Sequence, residues 1–465
     1  MVLPMLNRLR SFFTGKRSYT GAAGGRRWSG AQSMPAPVSS AHAARHTLAA
    51  RARFAVANNP LACSGLESWV TSLVGTGVKM QSRHADTSIR ETLSARFEAW
   101  TDSADADEAT DFYGIQASAV RSMIVAGEAF ILMLNTASGL RLRLLDPEQV
   151  DSSYTVALSD GGQVVQGVEM DAEGKRRAYH VFVDRPGHMT GFTRQRSRIP
   201  SDDICHLYRP LWPGQIRGIS FFAPVLLRMA DHEGSRDSQQ VRQRVGAALA
   251  GFIRSTDASG PPMDGEQAGN TLVGGLEPGT LKYLAPGEEI VFSSPPTIGM
   301  DAIAFMRLTE KEIAVGLGVP AYLLNGDLSD VNYSSIRAGL ISFRERVEAL
   351  QHSVLVFQFL RRVYERWVTL EVLDGKVSTT IDAALPAIWV TPRQAWVDPL
   401  KDAEAEILLF NNGMKSRREI VASRGLDIEA LDAEMAADKA RADGLGLTFG
   451  TPPANDNTPP AAIAA

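Results

Sequence analysis

One segment of this sequence constrains the fold more than any other. Across residues 334–375, large apolar side chains recur at alternating spacings of four and three positions, the period of one face of an α-helix. The repeating residues are Ile336, Leu340, Phe343, Val347, Leu350, Val354 and Phe357. Helical character continues to Leu373, and Gly375 is a natural stop signal. The sequence therefore predicts a helix of about 40 residues that would extend ~60 Å if unbroken.

The length and composition are those of a globular protein with several parts. The chain has 465 residues, with 48 Lys and Arg against 52 Asp and Glu, and 44% hydrophobic residues. This length predicts about two to four domains, and the composition excludes a disordered chain, a collagen or a coiled-coil rod for most of it. Cys63 and Cys205 are too few for a disulfide framework, which indicates a reducing compartment or independence of cystines. The longest apolar runs fall far short of the roughly 18 residues that a membrane span needs, so we expect no membrane partner.

The first 40 residues form a candidate basic arm. Nine Arg or Lys and no acid precede Glu67, the first carboxylate of the chain. A start of this kind also occurs in organelle transit peptides, although this one lacks the apolar core of a secretory signal. We favour an arm that binds acidic protein or nucleic acid, because Arg45, Arg51 and Arg53 continue the pattern into a predicted helix.

Residues 41–219 combine predicted helices with a strand-rich section. Thr87 or Ser88 can cap one helix, and a second helix over 118–125 should stop at Gly127. The acidic stretch 102–111 lacks the glycine and the ligand spacing of a calcium loop, so we expect a solvated helix start there. The apolar face of the first helix comprises Ile89, Leu93, Phe97 and Trp100. Strands are predicted over 129–134, 140–144, 163–169, 178–183 and 204–208.

The next segment predicts two helices with a small module between them. Ser220 can cap a helix over 220–253, with Pro224 in its first turn. Residues 231–240 include no large apolar side chain, so this part of the helix either bridges domains or packs beside polar neighbours. The polar residues in and after this run include Asp231, Arg236, Asp237, Gln240 and Arg244. Residues 254–299 are rich in Gly and Pro and contain two short strand candidates, 281–285 and 289–292. A second helix over 302–317 should end before Pro320.

A polar loop precedes the long helix, and the chain ends in helices. The loop contains Asn325, Gly326, Asp327, Ser329, Asp330, Asn332 and Tyr333, and no cation. Ser334 and Ser335 can cap the long helix that follows. Three further helices are predicted to begin at Asp398-Pro399, at the capping box that starts with Ser416, and at Asp427. The tail from Gly444 onward should be disordered.

The spacings that catalysis and cofactor binding require are absent from the sequence. There is no Gly-x-x-x-x-Gly-Lys-Ser/Thr run, no Gly-x-Gly-x-x-Gly after a strand, no Gly-x-Ser-x-Gly and no His-Glu-x-x-His. Cys63 and Cys205 have no local metal partners, and His206 reads as a packed histidine on a strand rather than a ligand. We therefore predict no enzyme activity, no cofactor and no metal, although a triad can assemble from distant residues.

Four groups of residues resemble signatures of one family, the lambda-type bacteriophage portal proteins. Residues 209–218 resemble the family's Arg-Pro-Gly-Gln-x-Arg-Gly signature, with Trp212 where the family often has arginine. Gly326-Asp327 followed by Asn332-Tyr333-Ser334-Ser335 is similar to a second hallmark, and Arg51-x-Arg53 with Asn58-Asn59-Pro60 to the family's start. The matching motif residues are Arg209, Pro210, Pro213, Gly214, Gln215, Arg217, Gly218, Ser334, Ser335 and Arg337, and, for a third hallmark, Asp398, Pro399 and Lys401. The resemblance extends over about Tyr19 to Lys439.

The resemblance implies an α+β portal fold that assembles as a cyclic ring, usually a dodecamer, at one vertex of the capsid. Residues 41–219 and 335–397 would form the wing, 220–253 and 300–320 the stem helices, 254–299 the clip, 321–334 the channel loop, 398–443 the crown and 444–465 a disordered tail. Double-stranded DNA would pass through the ring without sequence specificity. The implied partners are the terminase large subunit, head–tail connectors and the major capsid protein, in the virion and, during assembly, in the host bacterial cytoplasm. Another capsid or connector protein, or a nucleic-acid-processing enzyme, is the alternative.

Overall fold

The structure is a computed structural model that describes most of the chain. The described residues are 33–34, 36–184, 195–248, 252–255, 266–268, 271–273, 288–291, 299–329, 332–392, 399–424, 426 and 428–447. Most of the predicted arm, most of the predicted clip, the tail beyond 447, Asp330 and Asp398 lie outside these residues, as do the side chains of Tyr333 and Ser334.

Helices and strands alternate along the described residues. The helices are α1 (Pro37–Asn58), α2 (Pro60–Leu73), α3 (Thr87–Thr101), α4 (Phe112–Ala126), α5 (Leu226–Ala248), α6 (Met300–Leu317), α7 (Ala321–Asn325), α8 (Tyr333–Leu350), α9 (Arg361–Leu373), α10 (Ile381–Ala384), α11 (Pro399–Asn411), α12 (Arg417–Ser423) and α13 (Ile428–Leu445), with a π-helix over Gln351–Leu360. The strands are β1 (Lys79–Ser82), β2 (Glu128–Thr136), β3 (Gly139–Leu145), β4 (Val156–Ala157), β5 (Gln163–Val165), β6 (Val168–Met170), β7 (Arg176–Phe182), β8 (Arg196–Pro200), β9 (Ile204–Tyr208), β10 (Phe252–Ser255), β11 (Glu266–Ala268), β12 (Thr271–Val273), β13 (Glu288–Val291) and β14 (Ala387–Val390).

The described strands form antiparallel sheets. A three-stranded sheet has the order β3-β2-β9, and a five-stranded sheet runs β4-β5-β6-β7-β8. β1 pairs with β14, which brings residues 387–390 beside residues 79–82. The strands predicted over 129–134, 140–144, 178–183 and 204–208 are confirmed, whereas the one predicted over 163–169 is two strands, because Gln166 and Gly167 adopt positive φ and turn the chain. β8 was missed in the sequence.

Two cores hold these elements together. The larger core is mainly helical and is centred on aromatic side chains, among which Phe97 contacts Phe112 and Trp367 edge to face, and Trp69 contacts Phe343. A smaller core lies between the two larger sheets and contains Phe130 and Tyr179. The predicted helix face of Leu93, Phe97 and Trp100 is buried as expected. The helix is capped by Asp86 rather than by Thr87 or Ser88, because the Asp86 side chain accepts from the backbone N–H of Ile89.

The long helix extends from Tyr333 to Leu373, as predicted, and Gly375 follows with a φ of 67°. The Asn332 side chain caps it by accepting from the backbone N–H of Ser335, so the cap predicted at Ser334 or Ser335 is wrong. The central π-helix was not predicted. Because its turns are wider than those of an α-helix, the apolar face shifts, and Phe357 is 63% exposed while Phe359 and Leu360 are buried.

The first stem helix is shorter than predicted. α5 begins at Leu226 rather than at Ser220 and ends at Ala248, so Pro224 precedes it. The side chains of Phe221 and Phe222 are buried in this preceding segment, and the backbone N–H of Phe221 donates to Ile124 at the end of α4. Packing of these two rings in the larger core therefore takes the place of the predicted first helical turns.

Candidate functional site: a buried ionic centre beside the stem

Two segments of the chain cross where α4 meets β2, and their backbones are in direct contact. Gly127 ends α4 with a φ of 94°, and Glu128 opens β2. Gly218 crosses this point so closely that a Cβ on it would lie 2.0 Å from the carbonyl oxygen of Gly127. A Cβ on Gly127 would lie 2.3 Å from the backbone of Ile219. Only glycine fits at either position, and the crossing brings Arg217 against Glu128.

The Glu128 carboxylate is the centre of a buried cluster of four side chains. Arg217 Nη2 lies 2.7 Å from Glu128 Oε1, and Arg217 Nε lies 3.0 Å from Oε2. Arg45 of α1 donates to Oε1 at 3.0 Å, His206 of β9 lies 3.1 Å from Oε2, and the backbone N–H of Gly218 donates to Oε2 at 2.9 Å. Burial alone would raise the pKa of Glu128, but the Arg217 guanidinium, assisted by His206 and Arg45, holds it well below its ordinary value.

The neighbouring histidine is kept neutral. Burial lowers the pKa of His206 to about 4, against the opposing influence of Glu128. The imidazole stacks on Phe130 and Tyr208, so apolar rings surround the part that does not contact the carboxylate. This confirms the interpretation of His206 as a packed histidine, with a buried carboxylate as its partner.

Arg217 also contacts two loops between strands. Its Nη1 donates to the carbonyl of Gln166 at 2.6 Å, and its Nη2 to the carbonyl of Pro147 at 3.0 Å. Gln166 lies in the β5–β6 turn, and its side chain donates to the carbonyl of His42 in α1. The fully buried guanidinium thus connects the segment after β3 to the β5–β6 turn, and Gln166 connects that turn to the first helix.

The other residues of the 209–218 signature shape the loop that delivers Arg217. Gln215 accepts from the backbone N–H groups of Leu211 and Trp212 and donates to the carbonyl of Arg217. Gly214 has a φ of 76°, which favours glycine. The Arg209 guanidinium lies 4.1 Å from the centre of the Phe221 ring, and burial lowers its pKa. These contacts are intramolecular, so the geometry gives the signature a structural role.

The two helices predicted to form the stem, α5 and α6, contact each other through polar side chains. His232 Nε2 of α5 lies 3.3 Å from Glu310 Oε1 of α6, and Arg228 Nε lies 3.7 Å from Glu312 Oε2. Glu310 also accepts from the side chain of Asn325 at 2.8 Å. The side chains predicted to face a channel or a neighbour, Asp231, Arg236, Asp237, Gln240 and Arg244, are all exposed. At 3.6 residues per turn, Arg236, Asp237, Gln240 and Arg244 lie on one face of α5, and Asp231 lies on another.

The predicted channel loop is shorter than expected and is structured at both ends. α7 occupies Ala321–Asn325, and Gly326 follows in the left-handed conformation with a φ of 71°. Asp327 accepts from the backbone N–H and the hydroxyl of Ser329, and these bonds lower its pKa. The loop itself has no cation, but Arg307 Nη2 of α6 lies 3.6 Å from Asp327 Oδ2. Asn332 and the backbone of Tyr333 close the loop at the start of α8.

The second family hallmark contacts the helix that includes part of the third. Arg337 of α8 lies 3.0 Å from Asp402 of α11, and this ion pair connects the long helix to the first helix of the predicted crown. Pro399 opens α11, with Lys401 exposed in its first turn. Among the described residues there is no group of three His, Cys, Asp or Glu side chains that could hold a metal, and no helix is long and apolar enough to cross a membrane.

Comparison with known proteins agrees with these motifs. The sequence model described as phage portal protein, lambda family, matches residues 24–351, which is more than half of the chain. This chain belongs to the lambda family of phage portal proteins. Its function is that of a portal protein, a component of the phage particle, and the predicted family is confirmed.

Relatives of this portal protein resemble it along most of their length. A probable portal protein of Halomonas phage phiHAP-1 is 23% identical over 80% of this chain and 75% of the relative. Portal protein B of Escherichia phage lambda is 23% identical over 69% and 67%, respectively. A chain in the neck of an empty gene transfer agent particle, computed with C6 symmetry, has a similar fold with a TM-score of 0.51, 14% identity, and coverage of 80% of this chain and 92% of that chain.

Sequence reasoning found part of the ionic centre. The family signature included Arg217 and Gly218, and His206 was recognised as packed, but Glu128 and Arg45 were missed. The signal that could have identified Glu128 is its place as the one acid directly before the apolar run 129–134. A charge at the start of a buried strand requires a buried partner.

Proposed function

We propose that this portal protein forms a closed ring, usually of twelve copies, at one vertex of the phage capsid. The observation that carries the proposal is the exposure of large apolar side chains on the single chain. Met300, Phe305, Leu308 and Val315 of α6 are each more than half exposed, as are Leu400, Ile407 and Leu408 of α11. Apolar surface of this extent is typical of surfaces that associate, and cyclic assembly buries it on every copy.

The proposed ring conducts double-stranded DNA during packaging and ejection. Exposed acids and bases are mixed along α5, and the chain's net charge is −4. A surface of this kind does not neutralise phosphates in the way that a DNA-binding surface does, so it suits passage without sequence specificity. We assign residues 41–219 and 335–397 to the wing, α5 and α6 to the stem, 254–299 to the clip and 398–443 to the crown.

We further propose that the clip contacts the terminase large subunit and then head–tail connectors, and that the wing contacts the major capsid protein. The basic arm would bind an acidic capsid or scaffold surface. Deletion of residues 1–38 should leave the ring intact and weaken its incorporation into procapsids. Unchanged incorporation would make the arm dispensable.

Electron micrographs of the purified protein test the ring. Class averages with a central hole and cyclic symmetry support a portal, whereas compact particles without a hole would favour another capsid or connector component. Analytical ultracentrifugation that detects only monomer across micromolar concentrations would contradict the ring. The absence of catalytic motifs supports a structural role, and ATPase or nuclease activity in the same preparation would contradict it.

The channel loop is proposed to resist backward slippage of DNA. With Asp327 and Asp330 and no cation of its own, the loop does not hold phosphates by charge, so its contribution is steric. Removal of residues 328–331 should leave ring assembly and terminase docking intact, while the particles fail to retain full-length DNA. Normal yields of full-length genomes would show that the loop only connects two helices and does not retain DNA.

A further inference from the structure

The stem of a single chain presents two apolar surfaces of opposite shape. The first is a groove of about 590 Å³ between α1 and the start of α5, where Phe54 is 69% and Leu227 is 74% exposed. We call it the stem groove. The second, which we call the stem ridge, comprises Met300, Leu308 and Val315 of α6, exposed by 82%, 55% and 78%. Intervals of eight and seven residues place the ridge residues on one side of α6.

The groove and the ridge face away from the contact that joins the two helices. α5 meets α6 through Arg228 and His232, whereas the groove is lined by Leu226, Leu227 and Ala230 on another side of α5. On α6, the buried residues Thr309, Ile313 and Leu317 occupy the side opposite the ridge. Since the two surfaces belong to different sides of one helix pair, a single chain does not bring them together.

The two surfaces lie at the same level of the stem. The pairs Arg228–Glu312 and His232–Glu310 place residues 308–315 of α6 alongside residues 226–233 of α5. The groove is lined by 226–233, and Leu308 and Val315 belong to the ridge. Rotation about a ring axis keeps every atom at its own height along that axis, so contacts between neighbouring copies require surfaces at matching levels.

The two surfaces also offer one pair of opposite charges, although the groove is lined by the cation Arg51 as well. Lys311 lies on the ridge between Leu308 and Val315, and Glu233 lines the groove. Both side chains are exposed. We infer that the stem ridge of one copy docks in the stem groove of the next, with Lys311 facing Glu233. The occupant of the groove is thus a second copy of this chain, and the inference rests on the proposed ring.

Two surface substitutions test this docking. Leu308→Asp removes the ridge and Leu227→Asp removes the groove, and both positions are exposed, so the fold of the single chain should tolerate them. Leu373→Asp, at a residue that is 70% exposed at the end of α9, is the matched control. We expect rings from the wild type and the control, and monomers from each of the two variants, with unchanged circular dichroism in all four proteins. The two monomeric variants should have similar unfolding midpoints, whereas ring formation adds stability to the other two proteins.

Mixing the two variants gives the sharper result. Leu308→Asp retains its groove and Leu227→Asp retains its ridge, so an equimolar mixture should form dimers and no rings, as measured by sedimentation at high concentration. Folded monomers that form no dimer on mixing would contradict the pairing. Lys311→Glu should weaken the ring, and the same chain that also has Glu233→Lys should regain it.

The outcomes separate this inference from the proposed ring. Rings that persist in both Leu308→Asp and Leu227→Asp would overturn the inference and leave the ring established. A wild-type protein that remains monomeric at every concentration would contradict the ring itself and the docking with it.

Discussion

The guanidinium of Arg217 donates hydrogen bonds to both carboxylate oxygens of Glu128, and both side chains are fully buried. The two residues are 89 positions apart. Arg45 and the backbone N–H of Gly218 bind the same carboxylate, so this ion pair closes the contact between the first helix, the central strand and the loop that leads into the stem.

Replacement of the carboxylate should destabilise the protein strongly. Glu128→Gln leaves Arg217 and Arg45 buried beside a neutral amide, and loss of one partner of a buried pair costs about 3–5 kcal/mol. The exposed pair of Arg177 and Asp160 is the control, since solvent screens this pair and Asp160→Asn should cost much less. Urea unfolding of both variants measures the difference. Equally small losses of unfolding free energy in the two variants would show that the buried pair of Arg217 and Glu128 contributes little to stability.

Lowering the pH should reduce the free energy of unfolding in two steps, first through His206 and then through Glu128. The pKa of His206 is about 4 in the folded protein and ordinarily 6.5, so the unfolded chain binds the proton more readily and stability falls as the pH decreases between these values. The loss amounts to about 3 kcal/mol by pH 4. The lowered pKa of Glu128 adds a further loss below its ordinary value of 4.5.

Urea midpoints measured from pH 7 to pH 4 check this dependence. His206→Gln should flatten the curve between pH 6.5 and 4 and leave the loss at lower pH. A wild-type curve that is already flat over this range would contradict a neutral, buried His206.

Substitution by alanine should have opposite effects on stability at Gly218 and at Gly234. Gly218→Ala places a methyl group 2.0 Å from the Gly127 carbonyl oxygen, so we expect insoluble or strongly destabilised protein. Gly234 lies within α5 with open space around it, so Gly234→Ala should raise stability by about 0.5–1 kcal/mol. Thermal unfolding compares the two, and a well-folded Gly218→Ala variant would mean that the segments can separate.

The pair Arg337–Asp402 should stabilise α11 locally. A double-mutant cycle with Arg337→Ala and Asp402→Ala should give a coupling of up to about 1 kcal/mol, because both side chains are partly exposed. Hydrogen exchange in α11 should increase in Arg337→Ala, while α3 in the wing core is unchanged. Equal exchange rates in α11 before and after the substitution would show that the ion pair does not hold it.

Local patterns predicted most of the elements, and distant contacts determined the rest. Apolar periodicity identified the long helix and α3, and Gly127 correctly ended α4, since these signals lie within one element. The buried role of Glu128 depends on residues 78–89 positions away, which no local pattern contains. The early start predicted for α5 failed because Phe221 and Phe222 bury their rings in the wing core. Arg217 was identified only through the family signature.

The π-helix of ten residues has a consequence for the geometry of the long helix. Before it, Phe343 faces Trp69 of α2, and after it, Trp367 faces Phe97 of α3. Within it, the Gln358 side chain exchanges hydrogen bonds with the backbone of Tyr208 at the edge of β9. Removal of one residue here would turn everything that follows by about 100° and carry Trp367 away from Phe97. The segment therefore sets the angular phase between the part of the helix that contacts α2 and the part that contacts α3.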